Sequence, residues 1–290
     1  MRSGRGRAYG RAALAGNPSD GYGGRVLAVA LRELRADAEV AAAERDEAGG
    51  ALAAAAVTRF RARFAECDAP VAVRWATTVP REVGLAGSSA IVIAVLRALC
   101  DAHGVALEPR ELAEMALAAE TEELGIAAGL QDRLVQAHEA LLDMDFATGA
   151  VDVLDPELLP PLYVAWHPEA ASPSGAIHAE LRARHAAGDA GVRAAMDELA
   201  ALAAGAREAL LAGDAGRFAA CVDGSLAARA RVMPIHPRVE RMARAARAAG
   251  GSANSAGSGG AVVGTVPDGA WPALRRGLEK EGCGVLRPRA

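Results

Sequence analysis

Pro80-Arg81-Glu82-Val83-Gly84-Leu85-Ala86-Gly87-Ser88-Ser89-Ala90 runs without interruption into the apolar segment Ile91 to Leu99. Two glycines and two serines open what reads as a helix, so several backbone N–H groups in its first turn lack intrahelical partners. Those donors, with the positive end of the helix dipole, make a natural anion site. Glycine lets a phosphate approach where a Cβ would obstruct it, and serine adds hydroxyls that can bond phosphate or ligate a divalent metal. The stretch reads as a nucleotide phosphate loop. It is not a Walker A sequence, because no lysine follows the second glycine and G-x-x-x-x-G-K-[ST] occurs nowhere in the chain. Taken alone, it also fits an ordinary serine N-cap on a buried helix.

Bulk composition narrows the setting. The 290 residues suffice for one large domain or two ordinary ones. Apolar residues at 52% and charged residues at 23% predict a globular chain, and 3% aromatics predict a core of Ala, Leu and Val. A net charge of −4, from 32 basic and 36 acidic residues, supplies no basic field for nucleic acid and no polybasic membrane surface. Cys67, Cys100, Cys221 and Cys283 form no C-x-x-C pair, which argues against a zinc site or disulfide framework and for a reducing cytoplasm. The arginine-rich start, Met1 to Arg11, has no apolar run behind it and does not read as a secretory signal. No uncharged run of 18 apolar residues occurs, so no membrane span is expected.

Turn punctuation at Gly16-Asn17-Pro18-Ser19-Asp20-Gly21 predicts a strand on either side, within 12–31. Ala51 to Phe64 has helical composition, and Val71 to Thr77 alternates like a half-buried strand that delivers the chain to the glycine loop. Helices are expected over Ile91–His103, Glu108–Glu123 and Asp132–His138, followed by a strand at Leu141–Met144. Asp155 to Pro161 reads as a linker, and Leu162–Trp166 as the strand after it. From Ile177 to Ala230 the pattern is amphipathic helix broken at Gly188, Gly205 and Gly213. Arg238–Ala249 reads as a further helix, Gly250 to Gly260 as a second glycine-serine run entering a strand at Ala261–Gly264, and Trp271–Glu281 as a last helix before a strand near Val285. Strands and helices mix in both halves, which predicts an α+β protein of two domains, 1–157 and 158–290. Trp75 and Trp166 are assigned to the core, with a place beside a nucleotide base as the alternative. The six histidines show no metal spacing and read as surface or capping residues.

Four features stand together in order: the polar turn at 16–20, the loop at 84–90, an acidic cluster at 120–132 and the loop at 250–260. In this arrangement the chain resembles the GHMP kinases, the superfamily of galactose, homoserine, mevalonate and phosphomevalonate kinases. Within it, the glucuronokinase branch is the best fit. The strings that carry this are Gly16-Asn17-Pro18-Ser19-Asp20, Gly84 to Val92, Leu124 to Arg133, Met144-Asp145-Phe146 and Gly257-Ser258-Gly259-Gly260-Ala261-Val262-Val263. Ala86, inserted where most of the superfamily reads Gly-Leu-Gly-Ser-Ser, fits that branch as well.

The resemblance implies the two-domain GHMP kinase fold, with an N-terminal domain like ribosomal protein S5 domain 2 and a ferredoxin-like C-terminal domain. It also implies ATP and Mg²⁺ and a small-molecule sugar as substrate. Gly84, Leu85, Ala86, Gly87, Ser88, Ser89 and Ala90 would hold the nucleotide phosphates, with Gly257, Ser258 and Gly259 closing over them. Ser88 or Ser89 with Glu120 would hold Mg²⁺, a hard cation that takes oxygen ligands. Asp132, twelve positions after Glu120, would orient or deprotonate the acceptor hydroxyl. Arg11 would offset charge beside Asp132. Asn17, Asp20 and Gln131 match sugar contacts. Arg25, with Arg133 as runner-up, would fork a sugar carboxylate. The bland alternatives are a solvated helix face for the acidic run, an N-cap for Asp132 and a flexible linker for 257–260.

The implied reaction is ATP-dependent phosphorylation of D-glucuronate at its anomeric hydroxyl. Residues 37–70 are short, alanine-rich and charged where the family builds much of its adenine-binding side. A galactose-like or secondary-metabolite sugar therefore stays open, as does a non-catalytic binding protein of the same fold. The sequence assigns no oligomeric state.

Overall fold

The computed structural model describes residues 2–171 and 175–289. These form two compact units whose segments interleave along the chain. One holds the residues up to Arg11 with Ala30–Pro80 and Ala86–Glu139; the other holds Ala12–Val29, Arg81–Leu85 and the chain from Ala140 onward.

Strand β1 (Gly4–Ala15) and strand β2 (Arg25–Ala42) are far longer than the turn-flanked pieces expected from sequence, and each contributes residues to both units. Gly4 and Gly6 lie within β1. A Cβ on Gly6 would lie 2.0 Å from the Ala94 carbonyl oxygen, so the bare backbone is what lets the strand lie against a helix there. The charged stretch of β2 is held as strand by partners on the same sheet, including Arg7 to Asp37 at 2.6 Å.

In the first unit, helix α1 (Ala51–Arg63) precedes strand β3 (Val71–Thr77), which pairs antiparallel with β2 from Ala36↔Thr77 to Ala42↔Val71. Helix α2 (Gly87–His103) starts inside the glycine-serine loop and buries Ile91, Val92, Ile93, Val95 and Leu96, an apolar surface on all sides that makes it the centre of its unit. Helix α3 (Pro109–Ala118) opens with a capping box of Glu108 and Glu111. A π-turn at Ala119–Glu123 follows it, and helix α4 (Leu130–His138) completes the unit. Trp75 is not core: it stands on the open face of β3 and donates Nε1–H to the Gly49 carbonyl at 3.0 Å.

In the second unit, strand β4 (Leu141–Asp145) pairs with the start of β2 from Arg25↔Asp145 to Val29↔Leu141, and with strand β5 (Ala150–Leu154) on its other edge. The strand order of this sheet is β1-β2-β4-β5, with β3 also on β2. Strand β6 (Leu162–Trp166) lies as the sequence predicts. Then come helix α5 (Gly175–Ala186), helix α6 (Ala190–Leu211), helix α7 (Ala215–Ala230) and helix α8 (Pro237–Ala248). Gly205 breaks nothing. It sits within α6, where a Cβ would meet Cys221 Sγ at 3.2 Å, so it serves close contact with α7. Strand β7 (Asn254–Ser255), strand β8 (Ala261–Thr265), helix α9 (Trp271–Lys280) and strand β9 (Gly284–Leu286) close the chain, and the second sheet runs β7-β8-β6-β9.

Its core gathers Tyr163, Leu226, Val239, Met242, Leu274 and Leu278. His167 and His236 cap short helical starts by accepting from Glu169 N and Arg238 N; the side chain of His178 lies outside the described residues. Among the described residues no helix is long and apolar enough to cross a membrane.

Candidate active site

Gly129, extended and without a side chain, precedes α4 and leaves its first turn to Leu130, Gln131, Asp132 and Arg133. Arg11, buried on β1, donates Nε–H to Asp132 Oδ1 at 2.7 Å, and its Nη2 lies 2.7 Å from the same oxygen. Asp132 keeps part of its surface open, with Arg133 Nη1 3.9 Å from Oδ2. Arg133 is committed elsewhere. Its Nη1 donates to the Gly129 carbonyl at 2.7 Å, and Nε and Nη2 both reach Glu120 Oε2, the first at 3.0 Å.

Glu120 is 0% exposed, although Glu122 and Glu123 of the same acidic run face Arg59. The π-turn widens the helix end at this point, an irregularity common at functional sites. Glu120 Oε1 is buried with no hydrogen-bond partner among the described residues, and Gln131 Nε2 is in the same condition. Buried polar atoms without partners are rare and call for a ligand or an ion. A divalent cation fits the acceptor-only Glu120 Oε1; an acceptor on a polar substrate fits the Gln131 amide. No group of three or more His, Cys, Asp or Glu side chains clusters among the described residues.

Ala86 is the N-cap of α2 in the left-handed conformation, φ 60° and ψ 44°, and no side chain caps that helix. Its first-turn N–H groups at Gly87, Ser88 and Ser89 are therefore offered to an anion. The Ala90 N–H closes the first turn on the Ala86 carbonyl at 3.2 Å. Ser89 turns inward, Oγ donating to that carbonyl at 3.3 Å, whereas Ser88 is exposed. Gln136, one turn after Asp132, donates Nε2–H to the carbonyls of Tyr9 at 2.9 Å and Ala86 at 2.8 Å and so ties loop, strand and α4 together.

The second unit carries the remaining candidates. Leu85 is buried and anchors the loop. Gly84, at φ +82°, faces the second glycine loop so closely that a Cβ would stand 2.6 Å from Gly259 O and 3.0 Å from Ser258 N. The two glycine loops read from sequence thus meet at Gly84 and Gly257-Ser258-Gly259. Asn17 is buried, donating Nδ2–H to the Ser255 carbonyl at 3.2 Å and accepting at Oδ1 from Asn254 at 3.0 Å. Asp20 is half-buried on the short 3-10 turn Ser19–Tyr22.

Arg25 stands directly across from Asp145, and Asp143 lies two residues along on the same face. Its Nη1 reaches Asp143 at 3.0 Å and its Nη2 reaches Asp145 at 2.8 Å. Burial raises the Asp143 carboxyl, with Arg25 and Arg207 opposing, while the Arg25 hydrogen bond lowers Asp145. Asp143 and Asp152 are cross-strand partners, and Arg207 answers both, at 3.0 and 3.4 Å.

Sequence reading missed Gln136, Arg229 and Asp143. For Gln136 a signal existed: a polar residue on the buried face of α4, one helical turn from Asp132. The cysteines are free thiols, and burial pushes Cys100 up to about 11, so none is poised as a nucleophile.

The chain thus carries a carboxylate–arginine pair at the start of α4, an uncapped N-terminus on α2, and Gly84 packed against the second glycine loop. The family model for the GHMP kinases N terminal domain matches residues 51–139, and that for the GHMP kinases C terminal matches residues 206–282. The chain belongs to the GHMP kinases, phosphotransferases with an alcohol group as acceptor that use ATP with a metal, and the α+β two-domain fold expected from its sequence is the one observed. Glucuronokinase 1 of Arabidopsis thaliana is 32% identical over 248 residues, 71% of this chain and 68% of that protein. Probable glucuronokinase 2 of the same organism is 40% identical over 148 residues, 48% of this chain and 40% of that protein. The structure of Lactococcus lactis galactokinase complexed with galactose aligns with a TM-score of 0.87 over 99% of this chain and 93% of that one, at 14% identity, a likeness of fold.

Proposed function

We propose that this chain transfers the γ-phosphoryl group of ATP to the anomeric hydroxyl of a sugar, and that the sugar is D-glucuronate. The carrying observation is Asp132, held at Oδ1 by Arg11 and flanked in its helical turn by Gln131, whose Nε2 is buried without a partner. The similarity to two glucuronokinases supports the substrate.

The acceptor oxygen forms its bond to the γ-phosphorus as the bond from that phosphorus to the β–γ bridging oxygen breaks, and the hydroxyl proton passes to Asp132. Phosphoryl transfer asks mainly for positioning and charge compensation. Arg11 keeps Asp132 aligned and offsets the incoming negative charge. The N–H groups from Gly84 to Ser89 and those of Gly257, Ser258 and Gly259 hold the phosphates, while Ala90, whose N–H closes the first turn on Ala86, supports the loop from behind. Glu120 and Ser88, whose hydroxyl is open where that of Ser89 is bonded back, would hold Mg²⁺, which supplies neutralisation of phosphate charge when bound. Asn17, Asp20 and Gln131 position the sugar. On this reading residues 1–157 make the N-terminal kinase domain and 158–290 the C-terminal one.

One observation favours a second reading. Both Nη groups of Arg25 are engaged by Asp143 and Asp145, so Arg25 meets a sugar carboxylate only by exchanging one of them, which favours a neutral acceptor. A panel of uronic acids and neutral hexoses with ATP and Mg²⁺, with the product located by ³¹P NMR, separates the two. Turnover of galactose but not glucuronate selects the second reading, and turnover of mevalonate or homoserine with no sugar overturns both.

A further inference from the structure

Arg229 lies on α7, a helix that carries none of the motifs read from sequence, yet it is only 2% exposed. Its Nη1 donates to the Asn17 carbonyl at 3.3 Å and its Nη2 to the Gly257 carbonyl at 3.0 Å. One planar guanidinium therefore grips the turn that carries the candidate sugar contacts and the glycine loop that carries candidate phosphate contacts. The same helix adds Ser225 Oγ, which accepts from Gly16 N at 3.3 Å. Asn254 completes the stitching from β7, with Nδ2 on the carbonyl of Leu14 at 3.2 Å and on Asn17 Oδ1.

The grip on Gly257 has a directional consequence. The peptide between Gly257 and Ser258 is trans, so its carbonyl and its N–H point to opposite sides. The carbonyl goes to Arg229, and the Ser258 nitrogen lies on the side of Gly84, 3.0 Å from where a Cβ there would stand, with Gly259 O at 2.6 Å. Arg229 therefore holds the second glycine loop by a carbonyl of the segment that packs on the first. Glycine at 257 and 259 leaves that loop free to turn its peptides over, and a buried donor pair on the far side is what selects one orientation.

We infer that Arg229 is a positioning residue that sets the Gly257–Gly259 loop for the nucleotide phosphates and couples it to the Asn17–Asp20 turn, so that nucleotide and acceptor bind with mutual dependence. This rests on the sugar-kinase reading. The test is calorimetric binding of AMPPNP, of adenosine and of glucuronate, with glucuronate also titrated in the presence of AMPPNP, for wild type, R229K and R229Q. Thermal unfolding of the free proteins checks that each variant folds.

In R229Q, AMPPNP affinity is expected to fall by about 10–10²-fold, the scale of losing hydrogen bonds from a charged donor. Adenosine affinity stays as in wild type, and AMPPNP no longer strengthens glucuronate binding. R229K, whose ammonium can serve one carbonyl or the other, is expected to lie between. If R229Q is too unstable, R229K alone decides by the same comparison. Unchanged AMPPNP affinity with retained coupling overturns the inference, and so does an equal loss for adenosine and AMPPNP, which marks Arg229 as structural only. A wild-type chain that binds AMPPNP but no glucuronate overturns the substrate reading; one that binds neither overturns the kinase reading and this inference with it.

Discussion

Arg11 and Asp132, 121 residues apart in sequence, meet at a single oxygen: both Nε and Nη2 of the arginine lie 2.7 Å from Asp132 Oδ1. Oδ1 takes the guanidinium of Arg11, and Arg133 Nη1 lies 3.9 Å from Oδ2. A carboxylate held at one oxygen by a buried arginine on another element has its orientation fixed.

Asp132→Asn preserves the shape and one acceptor but removes the base. Turnover is expected to fall by roughly 10²–10⁴-fold, with ATP affinity close to wild type. Steady-state rates beside nucleotide titration check this, and an unchanged kcat would remove Asp132 from the chemistry.

Glu120→Gln leaves the Arg133 charge buried without its carboxylate. Breaking one side of a buried pair costs about 3–5 kcal/mol, readable in urea unfolding. The double variant E120M/R133M is expected to regain most of that stability while staying inactive, with Glu120 no longer available to Mg²⁺. Full activity in the double variant would exclude Glu120 from metal binding.

Two positive-φ residues flank Leu85 and call for opposite outcomes. Ala86, at φ 60°, pays a left-handed penalty of about 1–2 kcal/mol that glycine avoids, so A86G is expected to be neutral to stabilising by up to about 1 kcal/mol. Gly84→Ala combines φ +82° with a Cβ 2.6 Å from Gly259 O and should lower stability by about 1–3 kcal/mol and raise the KM for ATP. Thermal melts and ATP saturation curves distinguish them; a tolerated G84A would mean that the two loops do not pack in this way.

Asp46 predicts an acid-side loss of stability. Its two oxygens take Arg61 Nη1 at 2.7 Å and Nη2 at 2.8 Å, and Val71 N adds a third bond, which together lower its pKa to about 2. A depressed carboxyl contributes stability in full above its unfolded pKa of about 3.9, and that contribution shrinks as pH falls below this value and is lost as pH drops through about 2. Because the pair is partly solvated, D46N should cost no more than about 1 kcal/mol at pH 7, and the cost should shrink as pH falls toward 2. Urea melts of both proteins across this range show it, and a difference that does not shrink with pH would assign the effect to packing instead.

Strand β3 at Val71–Thr77 and strand β6 at Leu162–Trp166 were legible to the residue, because alternation over a few positions is a local property. The glycine-serine loops were legible for the same reason: anion binding by backbone N–H groups needs small residues in a row, and composition displays that directly. The lengths of β1 and β2 were not legible, since glycines and charges in them are tolerated only through the close approach of α2 and through cross-strand partners such as Asp37.

By itself, then, the chain determined its class and the order of its motifs through short strings spread from Gly16 to Val263, and the resemblance those strings carry supplied Glu120 and Asp132 as candidates. Tertiary structure alone decided that Arg133 belongs to Glu120, that register sets Arg25 against Asp145, and that Gln136 and Arg229 hold the loops from behind. Side-chain partnerships of this kind join residues up to 240 positions apart. Which partners meet depends on strand register and helix packing, and a linear pattern does not contain either.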